Sequence, residues 1–198
     1  MKLLSKSFAA IACAALAGLA ADCATVPESS PARSERTRAV IGGWFAYSRL
    51  AADSLIENFG LPDRVENHYL VWNDAALCKR LTVWNVPPRS GFVVDAIEAT
   101  VAFPVAQEKR ALLAAFSGKL HVGFNGTEIS ARSHSLNIDF LLLNLAHEIL
   151  SGVKNPAEAR DDYEHAVRLA AAGKLSRPMQ GLMFLPKSPQ PAFWPLRF

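Results

Sequence analysis

Cysteine is scarce in this chain, with three residues among 198, and Cys13, Cys23 and Cys78 lie far apart. No pair has the short spacing of thiolate zinc ligands, so no metal site of that kind is expected. A dominant charge is lacking as well: 21 Lys and Arg against 18 Asp and Glu leave a formal net charge of +3. So small and evenly spread a surplus argues against nucleic acid as a partner, which calls for a clustered basic surface. No glycine-rich loop matches a phosphate-binding fingerprint, no Gly-x-Ser-x-Gly elbow is present, and no cofactor or catalytic residue is implied.

The N-terminus, by contrast, is informative. Lys2 and Lys6 precede an alanine-rich apolar run over 8–21, followed by small residues and Cys23. That order is the one found in a bacterial export signal. The run is short and rich in Ala and Gly, whereas a permanent span needs about 20 strongly apolar residues. Residues 1–22 are therefore expected to be a signal peptide that is removed. Cleavage at small residues such as Gly18, Ala20 or Ala21 is one route. The other reads Leu19-Ala20-Ala21-Asp22-Cys23 as a lipobox, with Asp22 a departure from the usual Gly or Ala, and makes Cys23 the lipid attachment site.

Loss of the signal removes Cys13 and leaves Cys23 and Cys78. If Cys23 is acylated, Cys78 is a lone thiol and an apolar filler; if not, an oxidising compartment favours a Cys23 to Cys78 disulfide. After Cys23, the stretch 23–38 is polar and without apolar periodicity, which reads as a flexible tether. The folded domain is expected over 39–185, and a Pro- and aromatic-rich arm over 186–198, where Phe193 and Trp194 suit packing on the domain or docking on a partner.

Within the domain, Leu50, Leu55, Ile56 and Phe59 fall at helical spacing over 48–59, with an internal capping box at Ser54 and Glu57. Gly60 and Pro62 end that helix. Residues 68–72 and 80–84 are β-branched and aromatic runs that read as a hairpin, and 92–103 is a longer β-rich stretch. Pro104 suits the first turn of a helix reaching Phe116, with Leu112, Leu113 and Phe116 as its apolar side. Leu120, Val122 and Phe124 alternate toward a core, Asn125-Gly126 turns the chain, Ile129 and Ala131 return it, and His121 faces solvent.

Residues 137–150 are the most apolar segment after the leader and predict a buried central helix. Asn155-Pro156-Ala157-Glu158 supplies an N-cap, a proline at the first helical position and a capping-box Glu for a helix ending near Gly173. Tyr163, Ala166, Val167 and Ala170 form its inward stripe, and the short link predicts an antiparallel helical pair. Met179 to Leu185 reads as a closing strand. The expected fold class is α+β: one domain with an antiparallel sheet of about four to six strands packed against a helical hairpin that contains one strongly apolar central helix.

Candidate chemistry is thin. His147-Glu148 matches the first half of a zincin motif, but the second histidine would stand at position 151, which is Ser151. Ser130, Ser133 and Ser135 lie near His134 without an elbow, and His165 beside Glu164 belongs to a charged helix face. A curved sheet under an apolar helix could instead hold a cavity for an apolar ligand.

One resemblance stands on the residues 54–72: a short helix, Phe59-Gly60-Leu61-Pro62-Asp63-Arg64-Val65, then a strand ending in Trp72. This unit resembles the helix, Gly-x-Pro turn and strand of SmpA/OmlA (BamE-like) envelope lipoproteins. The resemblance implies a small, non-enzymatic α+β module that supports outer-membrane protein assembly, and it carries over no site residues. The expectation is thus an exported envelope protein, at the outer membrane or in the periplasm, held to the membrane through a lipid on Cys23 and engaging an envelope protein partner. The alternatives are a periplasmic binding protein for an apolar ligand or a hydrolase using His147 and Glu148.

Overall fold

The computed structural model describes residues 30–90 and 93–186. The leader 1–22, Cys23 with the residues up to 29, and the arm from 187 onward lie outside the described residues.

The first element is a helix, α1 (Ser30–Gly42), where a tether was expected up to residue 38. Its sequence has no apolar stripe, and its anchorage is tertiary: Thr37 and Ile41, one turn apart, are buried. The Arg36 guanidinium donates to the Val65 carbonyl at 3.0 Å. A polar helix can persist when contacts outside it supply the stability its propensity lacks. Helix α2 (Ala46–Phe59) follows and buries Ser48, Ala52 and Leu55, leaving Leu50 exposed. Because it starts at Ala46, Ser54 and Glu57 lie inside it and the capping box expected there does not form. Gly60 stops it with φ +79°, a left-handed conformation only glycine adopts without strain, and its N–H donates to the Ile56 carbonyl at 2.8 Å.

Six strands then build one antiparallel sheet: β1 (Arg64–Glu66), β2 (Tyr69–Asn73), β3 (Arg80–Trp84), β4 (Ile97–Ala102), β5 (Leu120–Val122) and β6 (Glu128–Ser133). Their spatial order is β1-β2-β3-β4-β6-β5. The two expected hairpins are present as β2–β3 and β5–β6. Phe124 is the exception to the alternation: β5 ends at Val122, and Phe124 sits fully exposed in the turn that Gly126 closes at φ +70°.

Between β4 and β5 the segment expected as one helix from Pro104 divides into a 3-10 turn (Gln107–Lys109) and α3 (Arg110–Phe116). It buries Leu113 and Phe116 and exposes Leu112. Helix α4 (Leu136–Leu150) is capped by Ser135, whose hydroxyl accepts from the Ile138 N–H at 3.4 Å, and it packs on β4 and β6. Helix α5 (Pro156–Ala171) packs on α4 and α3. Both halves of its capping box form: the Asn155 side chain accepts from the Glu158 N–H, and the Glu158 carboxylate accepts from the Asn155 N–H.

The closing strand expected from Met179 is not one. Arg177–Met179 forms a 3-10 turn, and the chain then bends along α4 instead of joining the sheet. Side-chain amides of α4 take the place of strand partners. Asn144 Nδ2 donates to the carbonyls of Pro178 and Gly181 at 2.8 and 2.9 Å, and its Oδ1 accepts from the Met183 N–H at 2.7 Å. Asn137 Nδ2 donates to the Met179 carbonyl at 2.8 Å.

Among the described residues the arrangement is α+β, with a six-stranded antiparallel sheet and five helices in one domain. In antiparallel pairing, residues directly opposite one another share a face. Val65, Leu70, Val83, Ile97 and Ser133 form one such row, and Trp72, Leu81, Ala99, Ala131 and Leu120 a second. All ten are buried, and the apolar ones join the helical side chains in one core. A hollow of about 450 Å³ opens where α2 and α4 meet β4, lined by Leu55, Phe59, Ile97, Leu136 and Phe140 among others.

Candidate functional site

The rows on the opposite face have different chemistry. Arg64, Val71, Thr82, Glu98 and Arg132 stand in register across five strands. Beside them run Glu66, Tyr69 and Trp84, and on the other side Asn73, Arg80, Thr100, Ser130 and His121. The helices pack against the apolar rows, so this face keeps Arg64, Asn73 and His121 exposed and Tyr69, Arg80, Trp84, Glu98 and Arg132 half-buried. Its short residues Thr82, Thr100 and Ser130 are buried beneath the longer side chains.

Those longer side chains form a continuous stack. The Arg64 guanidinium carbon lies 5.7 Å from the Tyr69 ring centre, Tyr69 lies 5.2 Å from Trp84, and the guanidinium of Arg132 reaches across β4 to within 5.2 Å of Trp84. Each contact of this kind is worth about 0.5–1 kcal/mol at an exposed site. Hydrogen bonds fix the geometry further. Trp84 Nε1 donates to Glu98 Oε2 at 2.9 Å, and Arg132 Nε donates to the Asp95 carbonyl at 3.0 Å. Thr100 and Ser130 share a hydrogen bond of 2.9 Å, with Arg80 Nη2 3.4 Å from the Thr100 hydroxyl.

Two hollows open along this face. One, of about 490 Å³, is lined by Arg64, Tyr69, Asn73, Arg80, Trp84 and Glu98 among others. The second, of about 440 Å³, lies where the connection between β3 and β4 meets the start of β5, and shares Arg132 with the stack. Volumes of this size are within the range that small ligands occupy. At the far edge Glu128 receives Lys79 at 2.8 Å, and that bond holds its carboxyl below the usual value against a smaller opposing effect of burial.

His147 and Glu148, the pair of the hydrolase alternative, line one hollow of about 440 Å³ between α4 and α5, together with Ser151, Lys154, Asp162 and His165. The imidazole of His147 stacks on Phe184 with centres 4.4 Å apart and planes within 4° of parallel, and Phe103 meets both rings edge-on. Glu148 is held by Lys154 at 2.6 Å. Lys154 also binds Asp162 at 2.7 Å. Ser151 donates to the His147 carbonyl at 2.7 Å and occupies the place a second zinc-binding histidine would need. Among the described residues no group of three His, Cys, Asp or Glu is placed to hold a metal. Ser133 donates to the Ser135 carbonyl at 2.8 Å, while His134, His121 and His165 are exposed.

Cys78 is a free, buried thiol, and burial, with a smaller contribution from Asp139, pushes its pKa up to about 12. Such a thiol is inert as a nucleophile. Cys23 lies outside the described residues, and among those described no helix is long and apolar enough to cross a membrane.

The arginine and aromatic side chains of the open face escaped the sequence reading. Alternation within each strand marks its polar side, but which polar residues become neighbours depends on register between strands, and that is set by the fold. No protein-family model, curated protein or solved structure matches the chain.

Proposed function

We propose that this chain is an exported envelope protein, anchored by a lipid on Cys23, that works as a binding or assembly module and not as an enzyme, with the open sheet face as its binding surface. The observation that carries this reading is the stack of Arg64, Tyr69, Trp84 and Arg132. Large side chains held in fixed positions at a solvent-facing surface lose little freedom when a ligand arrives, which favours recognition. Arg, Tyr and Trp are also the residue types that dominate binding energy in protein interfaces. Among the described residues of this face, the Ser130 hydroxyl shares its hydrogen bond with Thr100. An assembly role of the SmpA/OmlA kind, with an envelope protein as partner, belongs to this reading.

The anchor is tested by fractionating cells that express the full chain or its Cys23→Ser variant. The unaltered protein is expected in the membrane fraction and the variant in the soluble periplasmic fraction. Equal membrane retention of the two would refute lipid anchoring at Cys23, and recovery of the unaltered chain from cytosol with its leader intact would refute export.

A further inference from the structure

We infer that the hollow beside β5 binds an anionic amphiphile, a phosphate monoester carried on an apolar chain. This deepens the reading of the open face as a binding surface and rests on it.

Three permanent cations, Arg89, Lys119 and Arg132, line the hollow against a single carboxylate, Asp95, which leaves two positive charges in surplus. Lys119 sits 2.5 Å from Asp95 and is the cation that carboxylate compensates. Arg89 therefore carries surplus charge in full, while Glu98, directly opposite Arg132 on β4, offsets part of the charge on Arg132. Arg132 is held in place twice, through its Nε bond to the Asp95 carbonyl and through the ring of Trp84. A guanidinium fork fixed in this way suits the oxygens of a phosphate, which it can bind through two parallel hydrogen bonds. His121 adds an exposed imidazole that can donate in either protonation state.

The remaining wall is apolar: Val86, Pro87, Val93 and Val94. Val93 is 71% exposed, an aliphatic side chain left in water at the mouth of a charged pocket. An inorganic anion would leave it so, whereas a hydrocarbon chain attached to the phosphate would cover it and gain from removing that apolar surface from water. Cationic and aliphatic walls in one hollow of about 440 Å³ thus select for a ligand with both characters.

The test is isothermal titration of the full chain in an uncharged detergent with hexyl phosphate, inorganic phosphate and hexanol as separate probes. Hexyl phosphate is expected to bind about ten-fold or more tightly than either of the others. Arg89→Gln, at an exposed loop position where the fold has little at stake, is expected to weaken hexyl phosphate about five-fold, and Arg132→Gln at least as much. Arg168→Gln, on the exposed face of α5, is expected to change nothing. Equal affinity for hexyl phosphate and inorganic phosphate would overturn the apolar half of the inference. Equal affinity for hexyl phosphate and hexanol, or undiminished binding by the Arg89→Gln and Arg132→Gln variants, would overturn the ionic half. None of these results bears on the fractionation of Cys23→Ser, so the two readings fail separately.

Discussion

Asp139 lies in the first turn of α4 with neither carboxylate oxygen hydrogen-bonded among the described residues. Burial drives its pKa well above the ordinary carboxylate value. The folded state therefore retains this proton to higher pH than the unfolded chain does. The associated stability is full below the unfolded pKa, near 4, and is lost as pH rises toward the folded one. Asp139→Asn, of nearly the same shape and without charge, is expected to be more stable than the parent at pH 8 by on the order of 1 kcal/mol. The gain should vanish near pH 4. Urea unfolding at the two pH values measures it, and equal stability at pH 8 would show that the carboxyl is not the liability its burial makes it.

At the scale of elements, legibility followed how local the determining interaction is. The start of α5 is set by four consecutive residues, Asn155 to Glu158, and both bonds of its capping box are in place. The β5–β6 turn is likewise set by Asn125 and Gly126. Helix α1 depends on Arg36 meeting Val65 across 29 positions, which no window of sequence contains. The segment after Arg177 has a strand-like composition, yet its backbone groups are met by Asn137 and Asn144. Buried Asn144 makes three of these bonds, so Asn144→Ala is expected to release that segment at a cost of about 1–3 kcal/mol locally. Hydrogen exchange reads this at the Met183 amide, which should lose protection while the strands keep theirs; unchanged protection at Met183 would show that the aromatic contact of Phe184 with His147 suffices to hold it.

The whole molecule distributes its tryptophans usefully. Trp44 donates to the Asn67 carbonyl beside β1, Trp72 is buried in the core, and Trp84 lies in the stack on the open face. Among the described residues one core joins side chains from helices and sheet, so the two layers are expected to unfold together. Fluorescence and far-ultraviolet circular dichroism are expected to give coincident denaturation midpoints. A separate helical transition would mean that α4 and α5 melt independently of the sheet. The sheet's two rims bear on a different matter. Strands β1 and β5 each offer a mere three residues of backbone. Unpaired edges are where other chains add themselves as extra strands. Rims this short give an intruding strand almost no purchase, so copies crowded side by side should resist stitching into fibrils through their margins.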